Sequence, residues 1–171
     1  MSILAHIGFT IILFLAILKY LGKDLRSYDL RLVIVGALLP DIIDKPLSLL
    51  SLGSGRGYAH TLLFMVLVLV LAYRHKAMEL AFGNAVHLSL DFMFLEPRIF
   101  LWPLLGTYIE VTTHTSSYYW DQIFTSLFVQ VTEGLGLACI ILFVHMFGLR
   151  SPGRLRRFLS NGELVPRQAN N

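Results

Sequence analysis

Carboxylates and imidazoles recur inside otherwise apolar stretches of this 171-residue chain. The stretch 36–44 reads G-A-L-L-P-D-I-I-D and places Asp41 and Asp44 three residues apart, which puts both carboxylates on one face of a helix. His87 and Asp91 are four residues apart and share a helix face for the same reason. Because an ionisable side chain in a membrane segment is costly, each pair marks a candidate functional site.

Two further histidines extend these pairs to a set that fits a metal ion. Imidazole and carboxylate are ligands of Zn²⁺, and of Mn or Fe where carboxylates dominate. The candidate metal ligands are the residues of this kind within apolar stretches: His6, Asp41, His60, His87 and Asp91. With Asp44 they exceed one tetrahedral shell, so we expect one or two divalent ions, zinc first, with surplus residues orienting the ligands or acting as general base.

Four residues are candidates for the remaining chemistry. Asp44 and Glu133 are the acids predicted to act as general base, since each lies in an apolar stretch close in depth to the predicted ligands. Arg56 and Arg98 fall on the same side of the predicted bundle and could bind an anionic head group of a substrate through bidentate contacts.

Composition excludes an ordinary soluble domain and a disordered chain. Hydrophobic residues make up 56% of the sequence and charged residues 15%, and the mean hydropathy is +0.67. The net charge of +3 is mild and gives no indication of a nucleic-acid partner. The single cysteine, Cys139, lies in an apolar run, where we expect a packed small side chain. The class that remains is an integral membrane protein.

Five apolar segments are available to position the polar residues across a membrane. They cover residues 3–21, 30–52, 58–73, 77–95 and 121–149. Because a bilayer core needs about 20 helical residues, we predict an all-α fold, a polytopic membrane helix bundle with about five transmembrane helices. Pro40 and Pro46 are expected to kink the second helix. Residues 1–150 form the single predicted domain, and residues 151–171 a basic cytoplasmic tail in which residues 164–167 resemble the remnant of a tag.

Basic residues gather on one side of the predicted bundle. Lys and Arg flank the first connection, form the third and follow the fifth segment, whereas the opposite side has only Lys45, Arg56 and Arg98. The positive-inside tendency then puts the N-terminus outside and the C-terminus inside. We expect the membrane to be the cytoplasmic (inner) membrane of a prokaryote. With a rise of ~1.5 Å per residue, the polar residues lie roughly 15–24 Å above the inner boundary, in one layer of the outer half.

Each polar residue also has a structural interpretation. A lone membrane histidine such as His6 is often a helix-packing residue whose hydrogen bonds are satisfied within the bundle. Asp41 with Asp44 fits a cap of a kinked helix, and His87 with Asp91 fits a structural hydrogen-bonded pair. Glu133 fits a cap or an ion pair with Arg56. For the whole protein, the alternatives are a proton- or metal-coupled transporter and a non-catalytic membrane scaffold with a structural polar layer. The shared depth of the polar residues favours the metal site.

Five short motifs occur in order along the first two thirds of the chain. They are a leading His6, G-A-L-L-P-D-I-I-D at 36–44, R-G-Y-A-H-T-L-L at 56–63, H-L-S-L-D at 87–91 and L-W-P-L at 101–104. Their order and spacing resemble those of the YdjM-like family of membrane-bound metal-dependent hydrolases, over about residues 1–105. The resemblance implies metal-dependent hydrolysis, with the candidate metal ligands given above matching the family's metal residues.

Three positions depart from the pattern of that family. The second acid stands one residue late, at Asp44, Lys45 replaces a usual histidine, and Gly55 replaces the histidine before R-G. The family itself does not specify a substrate. From the depth of the site we expect a membrane lipid or lipid-linked substrate at the outer half of the bilayer, a phosphoester first and an amide or ester second.

Overall fold

The computed structural model describes residues 3–50, 55–107, 121, 124–162 and 164 of the chain. These ranges contain seven α-helices, three short 3-10 segments and no strand, so the predicted all-α fold is confirmed. The helices are α1 (Ile3–Tyr20), α2 (Leu30–Leu49), α3 (Leu62–Arg74), α4 (Met78–Leu90), α5 (Pro97–Phe100), α6 (Leu127–Met146) and α7 (Pro152–Asn161). The 3-10 segments are Leu25–Ser27, Tyr58–His60 and Met93–Leu95.

Two of the described helices are long and apolar enough to cross a membrane, α1 with 18 residues and α6 with 20. Helices α3 and α4 have 13 residues each, so each extends about 20 Å, less than a ~30 Å hydrocarbon core. The predicted segments 58–73 and 77–95 were therefore too long as helices, because each includes a 3-10 segment at one end. The count of about five transmembrane helices stays a prediction.

Side-chain caps set where the helices begin. Asp29 accepts the backbone N–H of Arg31 and starts α2, while the hydroxyl of Thr61 accepts the N–H of Phe64 and starts α3. The Arg31 guanidinium, whose Nη2 lies 2.6 Å from Asp29 Oδ2, holds the pKa of that carboxyl below its usual range. From this cap α2 continues through both of its prolines to Leu49.

Glycines allow two pairs of helices to come into backbone contact. A Cβ atom added at Gly36 of α2 would collide with the carbonyl oxygen of Leu80, and one at Gly83 of α4 would collide with a carbonyl of α2. Helices α1 and α6 meet in the same way at Gly8 and Gly136. Small residues permit this approach in membrane bundles, where packing rather than the hydrophobic effect drives association.

The outward faces of α3 and α6 are apolar and exposed. The exposed large side chains on α3 are Leu63, Val66, Leu67, Leu69, Val70 and Leu71. Those on α6 are Leu127, Phe128, Val131, Leu135, Leu137, Ile141, Leu142 and Met146. Contiguous apolar surface of this kind marks an interaction with a membrane or another protein, and lipid fits the apolar composition of both helices.

An aromatic core fills the end of the bundle away from the histidines. Phe14 of α1 packs against Phe82 of α4, with ring centroids 5.0 Å apart. Phe158 of α7 is buried against Phe143 of α6, with centroids 6.0 Å apart. The first part of the predicted basic tail is therefore a helix that packs on the bundle. Residues 165–171, which include most of the tag-like stretch, lie outside the described residues.

Replacing Gly36 with alanine is expected to destabilise the α2–α4 crossing, because the added methyl group meets the carbonyl of Leu80. Overpacking of this kind costs about 1–3 kcal/mol, which should appear as a lower melting temperature in detergent. Gly134→Ala on α6 is the matched control, since no atom lies within 4 Å of its added Cβ and alanine is the better helix former. Equal melting temperatures for the two variants would contradict the close crossing.

Candidate metal centre

Five buried side chains meet where α1 and α3 begin and α4 ends. His6 lies in the first turn of α1, Asp41 in α2, His60 in the 3-10 segment before α3, and His87 and Asp91 at the end of α4. None is more than 7% exposed. The structure thus brings together all five residues predicted as metal ligands, here called the His/Asp cluster. Their coordination of an ion stays a prediction.

The polar atoms of the His/Asp cluster are spaced like the ligands of one ion. Nε2 of His60 lies 3.2 Å from Nε2 of His87 and 3.8 Å from Oδ1 of Asp41. That oxygen lies 4.0 Å from Nε2 of His87. For comparison, two ligands bound at ~2.1 Å on a tetrahedral ion are about 3.4 Å apart. A second set of three, formed by His6, His87 and Asp91, is similarly compact, and the two sets share His87.

A backbone carbonyl of α2 determines which nitrogen of His87 carries the proton. Nδ1 lies 2.6 Å from the carbonyl oxygen of Ala37. Because a carbonyl only accepts, Nδ1–H must donate, and the neutral ring then has a lone pair on Nε2. Ala37 lies three residues before Pro40, whose missing N–H and bulky ring loosen the helical hydrogen bonding at this turn. The N–H that Pro40 lacks would have bonded to the carbonyl of Gly36, one residue before Ala37, so the proline disturbs the helix in the turn that carries this acceptor.

Asp44 determines the protonation of His60 in the same way. Its carboxylate accepts the N–H of Gly57 at 2.8 Å, the N–H of Ala59 at 3.0 Å and Nδ1–H of His60 at 2.7 Å. These three contacts are made by Oδ2, and Oδ1 also accepts the N–H of Ala59, at 3.1 Å. Since the two backbone groups can only donate, both oxygens act as acceptors and the imidazole proton lies on Nδ1. Asp44 was predicted as a candidate general base. The structure places it behind His60, where it contacts the ring and the loop before α3. Its part as general base stays a prediction.

The Nε2 atoms of His60 and His87 consequently lie 3.2 Å apart, and each presents a lone pair to the other. Both rings are fully buried, so bulk solvent cannot relieve their repulsion. A positive charge between them, either a metal ion or a shared proton, is required. The donor set of imidazole and carboxylate, with a hydrogen-bonded partner behind each ring, fits Zn²⁺ and also accommodates Mn or Fe.

His6 and Asp91 form the other side of the His/Asp cluster. Nε2 of His6 lies 3.1 Å from Oδ1 of Asp91, and the His6 ring stacks on the His87 ring with centroids 4.1 Å apart. Nε of Arg56 lies 3.2 Å from the other oxygen of Asp91, while the Arg56 side chain is 45% exposed. Arg56, predicted to bind substrate, therefore stands at the boundary between the buried cluster and the exterior.

Lys45 belongs to the site although the sequence interpretation gave it no role. Its Nζ lies 2.6 Å from Oδ2 of Asp41, four residues earlier on α2. The i, i+4 spacing of an acid and a lysine was the signal that could have identified the pair. Among the side chains here, the carboxylates of Asp41 and Asp91 each face one cation, Lys45 and Arg56, whereas that of Asp44 faces N–H groups.

Two predicted site residues lie apart from the His/Asp cluster. Glu133 of α6 accepts the N–H groups of Leu4 at 3.2 Å and Ala5 at 2.9 Å, so it caps the start of α1. The capping role is the alternative that the sequence left open, and it makes Glu133 a positioning residue for the turn that carries His6. Arg98 is exposed on α5. Among the residues that the structure describes, no contact joins it to the cluster.

Comparison with known proteins gives one match. A family model described as YdjM inner membrane protein matches residues 1–153. The matched region includes the whole His/Asp cluster and the residues that orient it. No curated protein and no solved structure matches the chain.

Asp44→Asn is expected to loosen the loop before α3, because the new amide group turns a donor toward N–H groups that need an acceptor. Each lost hydrogen bond to a charged group costs about 1.5–3 kcal/mol, so the melting temperature should fall. Affinity for Zn²⁺, measured by titration calorimetry, should weaken by ~10–100-fold. Asp24→Asn is the control, since Asp24 is exposed and caps only the N–H of Arg26. An Asp44→Asn variant as stable as this control would contradict the assigned role.

Proposed function

Because the chain belongs to the YdjM inner membrane protein family, we propose that this inner-membrane protein is a metal-dependent hydrolase whose ion lies in the His/Asp cluster. The observation that carries the proposal is the pair of Nε2 atoms 3.2 Å apart, each left with a lone pair by a hydrogen bond at Nδ1. A shared proton would satisfy the same two nitrogens in a non-catalytic scaffold, but the carboxylate oxygen of Asp41 within 4.0 Å of both nitrogens adds a third ligand atom and supports a metal ion.

One ion per chain is favoured over two. The two compact sets of ligand atoms both need the same nitrogen, Nε2 of His87, since its Nδ1 is engaged with Ala37. One lone pair binds one ion. The set formed by Asp41, His60 and His87 is the proposed site, because it contains both of the nitrogens whose protons are fixed elsewhere. Zinc is the first candidate for this set, followed by Mn and Fe.

When bound, a divalent ion would polarise the scissile group and activate a water molecule. The protein's own part is to hold protons and ligand atoms in place. Asp44 and the carbonyl of Ala37 retain the Nδ1 protons of His60 and His87, which keeps each Nε2 available.

A phosphoester in a lipid or lipid-linked molecule is the proposed substrate, with an amide or ester as the second choice. Lys45 and Arg56 pair with the outward oxygens of Asp41 and Asp91, and their side chains are 29% and 45% exposed. Two cations at the rim of a buried metal site would attract and orient a phosphate group. Arg98, exposed on α5, stays a candidate for a more distant contact with the head group.

We further propose about five membrane crossings, with the N-terminus and the His/Asp cluster on the outer side. Helices α1 and α3 begin at the cluster and run away from it, and Glu133 near the start of α6 caps α1, so α6 runs the same way. Basic residues follow at the far ends, at Lys19, Arg74 and Arg150. That distribution supports a cytoplasmic location for the far ends.

The hydrolase proposal is tested with purified protein loaded with Zn²⁺ or Mn²⁺ and a short-chain phosphatidic acid in detergent micelles. Release of phosphate should depend on the metal, stop on treatment with a chelator and return when metal is restored. His87→Ala should lower the rate by about 100-fold or more, because it removes the nitrogen shared by both ligand sets.

His145→Ala is the control, since His145 is exposed on α6 and should leave the rate unchanged. Equal rates for His87→Ala and the wild type would contradict the proposal. So would a protein that holds stoichiometric metal yet hydrolyses no phosphoester, amide or ester lipid. Zinc uptake into proteoliposomes without hydrolysis would indicate the transporter instead.

A further inference from the structure

Two fully buried polar side chains next to the His/Asp cluster have no hydrogen-bond partner among the described residues. They are Thr10 on α1 and Asn84 on α4, each 0% exposed. The hydroxyl of Thr10 and both the oxygen and the nitrogen of the Asn84 carboxamide are without partners. Buried polar groups in folded proteins are nearly always satisfied, so both side chains require an explanation.

Two other helical hydroxyls, those of Ser89 and Thr132, bond to their own helix. Ser89 Oγ donates to the carbonyl of Ala85 at 2.8 Å, and Thr132 Oγ1 donates to the carbonyl of Phe128 at 2.8 Å. This bond to the carbonyl four residues earlier is the usual arrangement for serine and threonine within helices. Thr10 makes no such bond, so its hydroxyl is available to a group outside the helix.

Helical spacing puts Thr10 and Asn84 at one level beneath the cluster. Thr10 follows His6 by four residues, and Asn84 precedes His87 by three, so they continue the faces on which those two rings stack. Helices α1 and α4 run in opposite directions, since His6 near the start of α1 contacts Asp91 at the end of α4. Thr10 therefore lies about 6 Å from His6 along α1, and Asn84 about 4.5 Å from His87 along α4. Because the helices are antiparallel, both displacements point away from the same end of the bundle.

The chemistry of the two side chains selects water as the ligand. A hydroxyl donates and accepts, and a carboxamide offers an NH₂ donor and an oxygen acceptor. Neither group carries a charge that would compensate a bound anion, and the NH₂ group is a poor neighbour for a cation. A buried water molecule typically makes about three hydrogen bonds and needs both donors and acceptors around it.

We propose that Thr10 and Asn84 bind an internal water molecule one helical turn beneath the His/Asp cluster. This site lies on the side of His6 and His87 that faces away from Lys45 and Arg56, the side chains that reach the exterior. The water site itself does not depend on the reaction. This water would also replace the molecule that each hydrolysis consumes, and that part of the inference rests on the proposed function.

Thr10→Val tests the site, because valine matches threonine in shape and removes only the hydroxyl. Loss of one hydrogen bond to a bound water should lower the melting temperature by about 2–4 °C. The double variant with Asn84→Leu should fall by less than the sum of the two single changes, since both side chains hold the same water. Thr132→Val, whose hydroxyl is satisfied within its own helix, is the control and should melt near the wild type.

Three results would overturn the water site. One is a higher melting temperature for Thr10→Val, which indicates a dry site relieved of an unsatisfied hydroxyl. Another is strict additivity in the double variant. The third is an experimental density map in which no water lies within about 3.2 Å of both side chains. Metal content measured on the same samples separates the proposals: a metal-free wild type with a destabilised Thr10→Val variant keeps the water site and removes the hydrolase.

Discussion

Two imidazole nitrogens that face each other across 3.2 Å are the constraint around which the interior of this protein is arranged. Each has a lone pair because the other nitrogen of its ring donates a hydrogen bond, in His60 to Asp44 and in His87 to Ala37. The rings are buried, so the repulsion has to be removed by a positive charge placed between them. The carboxylates around them supply further ligand atoms, and those of Asp41 and Asp91 are paired with the two cations at the rim.

The fold meets this constraint mainly with backbone features. Contact between Gly36 and Gly83 brings α2 against α4, so that a carbonyl near Pro40 can reach a histidine on the neighbouring helix. Two amides of the loop before α3 hold Asp44, and Glu133 of α6 holds the first turn of α1. The residues that orient the cluster are thus drawn from helices and loops far apart in sequence, which makes the site a property of the whole bundle.

The clustered residues could be predicted from the sequence because a charged or imidazole side chain in an apolar run is conspicuous, and helical spacing assigns it to a face. The contacts of the supporting acids could be predicted only in part: a cap was one of the alternatives for Glu133, whereas the contacts of Asp44 with His60 and the loop before α3 were not foreseen. Asp44 and Glu133 were both read as candidate bases, because a sequence shows an acid but not the N–H groups that meet it. The lengths of α3 and α4 were overestimated since apolar composition continues through the 3-10 segments at 58–60 and 93–95. Thr10 escaped notice because an uncharged polar residue does not stand out in an apolar helix.

X-ray absorption spectroscopy at the metal edge tests the central claim most directly, on full-length protein purified in detergent without chelator. The account predicts about one ion per chain, with at least two imidazole nitrogens among its ligands at ~2.0–2.1 Å. Protein without stoichiometric metal, or a bound metal with oxygen ligands alone, would contradict it, because the facing nitrogens of His60 and His87 would then be held apart by something other than an ion.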